Sequence, residues 1–484
     1  MSTINTNVPS VTAQRHLMVS QHSLAKSLER LSSGLRINRG SDDPAGLIVS
    51  ERLRNEIAAV GQAIHNSERA INVIATTEGA LNEVSALVID IQALIIEAAN
   101  TGAFSDEEIA ANQLQIDSAI DSIARIANTT TFAGRKLLNG ELDYITSGVN
   151  YNNLRDVNIL GAKFGTNTYV PVEVNVTTSA QTAGLVYQAS AIPTGQPITV
   201  TLAGPDGIVT LTFPAEATVN DVAASINGQK DATGVSAVAS TTLWLNSLTY
   251  GSDAFVSIRP VAGGPAFDVE NANQEVVARD AGRDAIATIN GASTIADGLK
   301  LKLSNSLLKL EVTLDPDYNT ATTPGTGTSD FAITEGGALF QLGPEVNTNL
   351  QENIGVKAMH PELLGSALVG YLSQLKSGQS ESLRASVQKH SFKTASDIIG
   401  EAIDQVSILR GRLGAFERNT LRTNINQLQI TVENLTSSES VVRDTDFAEE
   451  TSELTRSQIL VQAGNSVLAI ANAQSQNVLA LLGG

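Results

Sequence analysis

The chain has 484 residues, of which 42% are hydrophobic and 4% aromatic, with a net charge of −19 at neutral pH. Any core must therefore be mostly aliphatic, and the charge argues against general binding to nucleic acid or acidic membrane, because neutralising phosphates takes clustered Lys and Arg. No cysteine occurs, which removes disulfides, thiolate nucleophiles and Cys-ligated metals.

The opening residues, Met1 to Pro9, carry no basic segment followed by an apolar one, so a cleaved Sec-type signal is not expected. A first helix is predicted from about Val11 to Leu35. Leu17, Leu24 and Leu31 lie one heptad apart, with Leu28 and Leu35 in the alternate row. Gly34, Asn38 and Gly40 end it, and Ser41-Asp42-Asp43-Pro44 restarts a helix with acidic cap candidates and Pro at its first position. Residues 36–43 read as a polar hinge or spoke.

The next helix runs from about 44 to 100 with Leu53, Val60, Ile74, Leu81, Val88 and Ile95 in one row and Ile57, Ile64 and Ile71 in a second, interrupted at Ser67 and Glu78. At about 1.5 Å per residue it would be roughly 85 Å long, a rod rather than a globular element. Apolar runs such as Val88 to Ile96 contain Asp90 and Gln92 and fall short of the ~18 residues that suggest a membrane span. A third helix starts at Ser105, whose hydroxyl forms a capping box with Glu108, and it aligns Ile109, Ile116, Ile120 and Ile123. A turn follows near Phe132.

Between about 150 and 335 the periodicity changes to two. Val172-Glu-Val-Asn-Val, Ile198-Thr-Val-Thr-Leu and Leu310-Glu-Val-Thr-Leu read as strands separated by Gly, Pro and Asn-Gly turns, in one or two small antiparallel modules. Two Ile-Asn-Gly tripeptides, at Ile226 and Ile289, hint at a weak internal repeat with a short helix before each.

Helical periodicity returns from Ala395 to Leu435, with one stripe through Val406, Leu409, Leu413 and Phe416 and its continuation through Leu421, Ile425, Leu428, Val432 and Leu435. The last segment carries Leu454, Leu460, Val467, Ala471, Val478 and Leu481, and Ser437 to Asp446 mirrors the hinge at 36–43. The expected fold is α+β: a long antiparallel coiled-coil rod built from both termini, with a central β-rich outer domain. The divisions expected are 1–41 (inner helix and spoke), 42–184 (rod and hairpin), 185–335 (outer domain), 336–440 (return hairpin and rod helix) and 441–484 (spoke and inner helix).

Two helices of about 25 residues beyond polar hinges bury too little against each other to be stable alone, since helical stability comes mainly from tertiary burial. The first and last ~40 residues are therefore expected to fold when neighbouring subunits cover them. Asp42, Asp43, Arg443, Asp444 and Asp446 are either solvated hinge charges or a cross-strand ion-pair network. The five histidines show no ligand spacing, no H-E-x-x-H or G-x-S-x-G occurs, and no metal, cofactor or catalysis is expected.

Leu28 to Asn38, Asp42-Asp43 and Thr76-Thr-Glu-Gly-Ala-Leu-Asn-Glu83 closely resemble the N-terminal region of bacterial flagellins. Arg410-Gly-Arg-Leu-Gly-Ala415, Val441 to Ala448, Gln458 to Gly464 and Asn477 to Leu482 resemble the other end of that family, and Phe340-Gln-Leu-Gly-Pro and Ile354-Gly-Val its return hairpin. The resemblance implies a self-assembling helical homopolymer, the extracellular flagellar filament used for swimming. It also implies export of the unfolded chain through the flagellar type III apparatus, an export chaperone on the C-terminal helix, and cap and hook-associated junction proteins as partners. A hook–filament junction protein is the alternative, or an adhesin displayed on the same scaffold.

In flagellins sensed by the vertebrate Toll-like receptor, the segment after Gly-Ala-Leu-Asn-Glu carries an Arg that contacts the receptor. That position falls here on Asp90. Leu94 matches a contact leucine, Gln92 replaces a second Arg and Gln115 falls where a contact Glu is expected. The resemblance thus implies weak or no recognition by that receptor.

Overall fold

The computed structural model describes residues 6–165, 167–261, 267–319 and 328–482, with side chains described to residue 474. The chain divides into two compact units. One comprises residues 1–68, 342–345 and 421–484, and the other 69–341 and 346–420.

The first unit is helical. Its first helix, Val8–Ser33, begins three residues before the expected start because the Asn7 side chain accepts from the Ser10 N–H at 3.1 Å and Pro9 lies in the first turn. It stops at Gly34, which takes φ 74° and returns its N–H to the Arg30 carbonyl. The last helix, Phe447–Leu482, packs against it antiparallel: Asn7 Nδ2 donates to the Ala471 carbonyl at 3.0 Å, Ser10 Oγ to Asn472 Oδ1 at 2.7 Å, and Arg30 pairs with Glu450 at 3.2 Å. In the same unit the start of the long helix Pro44–Ala99 packs Val60, Ala63 and Ile64 against Leu428, Val432 and Leu435 of the helix Thr423–Arg443. Ser67, which interrupts the apolar seam, is fully buried. Its hydroxyl donates to the Ala63 carbonyl at 2.9 Å and accepts from Asn424 Nδ2 at 3.2 Å, and that amide also donates to the Leu342 carbonyl at 2.8 Å.

The hinge expected at Ser437 to Asp446 is shorter than that. Thr423–Arg443 stays helical through Ser437–Ser440, and only residues 444–446 lie between it and the last helix. Serines do not break a helix when their hydroxyls bond back one turn, as Ser438 does to the Asn434 carbonyl at 2.8 Å.

The second unit carries the remainder of the long helix, with Leu81, Val84, Val88, Ile91 and Ile95 buried at alternating spacings of three and four. That helix is long and apolar enough, by length and composition, to cross a membrane, which its short apolar runs did not suggest; a core helix with a buried stripe meets the same measure. The third helix, Asp106–Thr129, has the expected capping box and buries Ile109, Ile116, Ile120 and Ile123. Its Gln113 donates to the Leu375 carbonyl at 2.9 Å and accepts from the Leu383 N–H at 2.8 Å. The helix Lys393–Phe416 buries Ile398, Val406, Leu409 and Leu413, and a π-helical segment, Glu417–Arg422, follows it.

Two β modules complete this unit. In the first, a five-stranded sheet (Ala292–Ser293, Ile286–Ile289, Val170–Thr178, Thr328–Gly336 and Tyr144–Ser147, in spatial order) shares a core with a four-stranded one (Ile295–Asp297, Lys300–Ser304, Leu308–Leu314 and Leu154–Ala162). The second module is inserted between Thr178 and Ile286. It combines a three-stranded sheet (Gly184–Tyr187, Leu243–Ser247, Val235–Ala239) with a four-stranded one (Arg279–Ala281, Phe255–Pro260, Ile198–Gly204, Gly207–Phe213) and the helix Val219–Asn227 around its own core. Strands before residue 184 are thus completed by strands from 286–336. The two Ile-Asn-Gly tripeptides are not a structural repeat: the first closes a helix, and the second sits in the tight turn after the strand Ile286–Ile289.

Candidate self-assembly surfaces

Among the described residues few side chains of the terminal helix pair are buried, and most of those are small. Leu17, Ala13, Ser10 and Ser27 are buried on one side, and Ala471, Ser457 and Glu450 on the other. Gly464 permits the approach, since a Cβ there would lie 3.1 Å from a Leu17 methyl. Of the other residues expected to drive assembly, Leu24, Leu31, Leu35 and Leu454 are half-buried, whereas Leu28, Leu460 and Val467 are exposed. Val478 and Leu481 lie outside the residues whose side chains are described. The pair also exposes Val11, Met18, Val19, Ile459 and Ile470, with Met18 at 69% and Ile470 at 68%. Each such side chain contributes roughly 1.5–3 kcal/mol when fully removed from water.

The spoke residues divide into pairs and caps. Asp42 pairs with Lys26 at 3.0 Å and accepts the Arg39 N–H at 3.0 Å, and these contacts, the Lys26 hydrogen bond foremost, hold its carboxyl below the usual range. Arg443 pairs with Glu51 at 3.1 Å. Asp43 accepts from the Gly46 N–H at 2.9 Å and Asp446 from the Ala448 N–H at 2.8 Å, so both cap helix starts. Asp444 accepts from Ser440 Oγ at 2.5 Å. The two connectors run side by side: Arg36 N–H donates to the Arg443 carbonyl at 2.7 Å, Thr445 N–H to the Gly34 carbonyl at 3.0 Å, and Leu35 bridges Asp444. Backbone bonds and the buried Ile37 hold this junction, with partly exposed ion pairs adding only ~0–1 kcal/mol each. Backbone pairing across 35–36 and 443–445 is a contact that residue patterns do not announce.

On the long helix Asp90 is exposed and Gln92 and Leu94 are half-buried, and Gln115 on the third helix is exposed. Ile89, Ile96 and Leu114 are exposed in the same unit. Among the described residues no group of three or more His, Cys, Asp or Glu could hold a metal ion.

A long helix, a return helix and a terminal helix pair that leaves apolar side chains in water form the helical frame of this chain. The bacterial flagellin N-terminal helical region matches residues 4–143, the bacterial flagellin C-terminal helical region residues 396–482, and the flagellin hook IN motif residues 197–250. Flagellin of Salmonella rubislaw is 30% identical over 512 residues, covering 99% of each chain, and flagellin C of Vibrio cholerae is 29% identical over 482 residues with the same coverage. Among solved structures, the hook-associated protein-3 of Legionella pneumophila is 13% identical, with 89% of this chain and 99% of that one covered at a TM-score of 0.27. The chain belongs to the flagellin family.

Proposed function

We propose that the chain is the structural subunit of a bacterial flagellar filament, which it forms by self-assembly and which serves swimming motility. The observation that carries this is the terminal pair, whose buried side chains are mostly small (Ser10, Ala13, Ser27, Ser457 and Ala471) while Met18, Leu28, Leu460, Val467 and Ile470 stay in water. In this reading residues 1–41 and 441–484 form the filament's inner layer, 42–184 and 336–440 its rod and hairpins, and 185–335 its outer face. The terminal helices of a free subunit open readily and are fixed by neighbours. The chain leaves the cell unfolded through the flagellar type III apparatus, with a chaperone on its last helix and cap and junction proteins at the filament's ends. A chain with no disulfide and few aromatics is easily threaded.

Electron microscopy of purified protein seeded with short filament fragments, beside a version lacking residues 454–484, tests the reading. Long filaments from the full chain and none from the truncated one are expected. A full chain that stays monomeric, with terminal amides protected from exchange, would overturn it.

Toll-like receptor recognition is weak in this reading, because exposed Asp90 offers a carboxylate where recognised flagellins offer a guanidinium. Asp90→Arg is expected to raise signalling in receptor-expressing reporter cells by about tenfold or more. No gain would place the defect elsewhere.

A further inference from the structure

Sheet edges in the inserted β module are treated unequally. The free side of Val235–Ala239 is closed by a side chain: Asn227 Oδ1 accepts from the Ala237 N–H at 2.9 Å and its Nδ2 donates to the Ala237 carbonyl at 2.8 Å. Arg279–Ala281, at the end of the four-stranded sheet, is three residues long and carries Arg279 and Asp280. Gly207–Phe213, at the sheet's other end, has neither protection. It is seven residues long, and from Ile208 to Phe213 it has no charge, no Pro and no Gly. Natural edges are normally blunted by charge, Pro, shortness or cover, because an open edge is a template for another strand.

The free groups on this edge follow from the hairpin. Gly204 and Gly207 close a two-residue loop, and the register Leu202↔Val209 and Val200↔Leu211 continues from it. In such an antiparallel ladder the alternate residues Ile208, Thr210 and Thr212 turn their N–H and C=O groups away from the partner strand. Among the described residues none of these groups has a hydrogen-bond partner. Their side chains are exposed, Ile208 at 71%, and Val209 and Leu211 on the opposite face are half-buried.

We propose that this edge is an interaction surface for the same strand of a second copy of the chain. Antiparallel pairing about Thr210 is self-complementary: Thr210 meets Thr210 and Ile208 meets Thr212, about six backbone hydrogen bonds form, and Val209 covers Leu211. At a net charge of −19 per chain an uncharged strip is where two copies meet with least repulsion. Asp206, just outside the strand, falls opposite Pro214 rather than another carboxylate. The filament reading enters at one point, since polymers lying side by side would hold outer modules of neighbouring filaments, which two-fold pairing can relate, at high effective concentration.

The absence of native cysteine makes the test direct. Full-length chains carrying Thr210→Cys, assembled into filaments and mildly oxidised, are expected to give covalent dimers on non-reducing gels, because a hydrogen-bonded antiparallel pair has Cα atoms ~5.5 Å apart, within disulfide range. Ser240→Cys, in an exposed turn of the same module, measures random collision and is expected to cross-link at least tenfold more slowly. Mixing Ile208→Cys with Thr212→Cys filaments tests register: 208–212 dimers should exceed 208–208 dimers. Thr210→Pro added to the Ile208→Cys and Thr212→Cys chains removes an outward N–H that the home sheet does not use, so the melting temperature should stay within a few degrees while 208–212 cross-linking is lost. Cross-linking of Thr210→Cys no faster than of Ser240→Cys, or 208–208 dimers as abundant as 208–212, would overturn the proposal. A covalent adduct with some other protein in place of the dimer would do the same. Filaments seen by microscopy in every variant keep this outcome separate from the filament reading.

Discussion

Single residues join the helical and β parts of the second unit through a polar cluster in which Tyr144 is buried and Asp143 and Arg412 are half-buried. Asp143 accepts from the Tyr144 N–H at 2.8 Å, Tyr144 Oη accepts from the Ala162 N–H at 3.0 Å, and Arg412 donates to the Leu160 carbonyl at 2.7 Å. Burial dominates each titration: it raises Asp143 despite nearby Lys357 and Arg412, pushes Tyr144 up to about 12 and lowers Arg412. A carboxyl whose folded value lies above its unfolded one contributes stability below the unfolded pKa and loses it as pH rises through the folded value. Asp143→Asn, which removes the charge and keeps an acceptor, is therefore expected to raise the melting temperature at pH 7. The gain should vanish below about pH 4, where the native carboxyl is protonated in both states. A loss at pH 7 would mean the cations outweigh burial. None of this cluster was legible in the sequence, because its members come from residues 143–162 and 412 and no local pattern joins them. The Ile-Asn-Gly tripeptides were visible, but their roles were not. Asn290 gives its side chain to the Glu173 N–H at 2.8 Å and the Pro171 carbonyl at 2.9 Å, as Asn227 does at Ala237, so both amides stand in for strand backbone although their own backbones differ.

At the scale of elements, periodicity carried most of the helical part and misjudged its interruptions. The return stripe steps by three and four through Val406, Leu409, Leu413 and Phe416, and then by five to Leu421. Five residues along an α-helix would carry Leu421 well off the stripe, but an i→i+5 turn brings it back, and the π-helical segment Glu417–Arg422 falls at that step, with Leu421 fully buried. The irregular spacing was in the sequence, and its structural answer needed the backbone. Removing one residue there, for example Asn419, restores a spacing of four and should convert the segment to α-helix, leaving the melting temperature unchanged or higher. Deleting Gln427 from the regular helix should lower it by several degrees, because every apolar residue beyond it leaves its face. Circular dichroism melts of the two deletions decide it; equal losses would mean the π turn is not there to correct register. Strands were harder to place. Alternation located them, but not that those before residue 184 pair with those after 285, since pairing partners lie more than a hundred residues apart.

For the molecule as a whole, the contrast between its ends and its middle was the most readable feature, because amphipathic helices and alternating strands have different periods over long stretches. What the ends are for follows from a balance of two terms. Apolar faces of the terminal helices favour association, whereas a charge of −19 on every subunit opposes it, and in a polymer that repulsion is summed over many close neighbours. Hydrophobic burial changes little with dilute salt, but repulsion between exposed charges falls as the screening length shrinks from about 30 Å at 0.01 M to about 10 Å at 0.1 M. The critical concentration for filament growth, measured by sedimentation of seeded reactions, should therefore fall several-fold across that range. It should also fall as pH drops from 7 toward 5, because protonation lowers the net negative charge of every subunit. A critical concentration that rose with salt would mean that attraction between opposite charges, rather than apolar cover of the terminal helices, holds the subunits together.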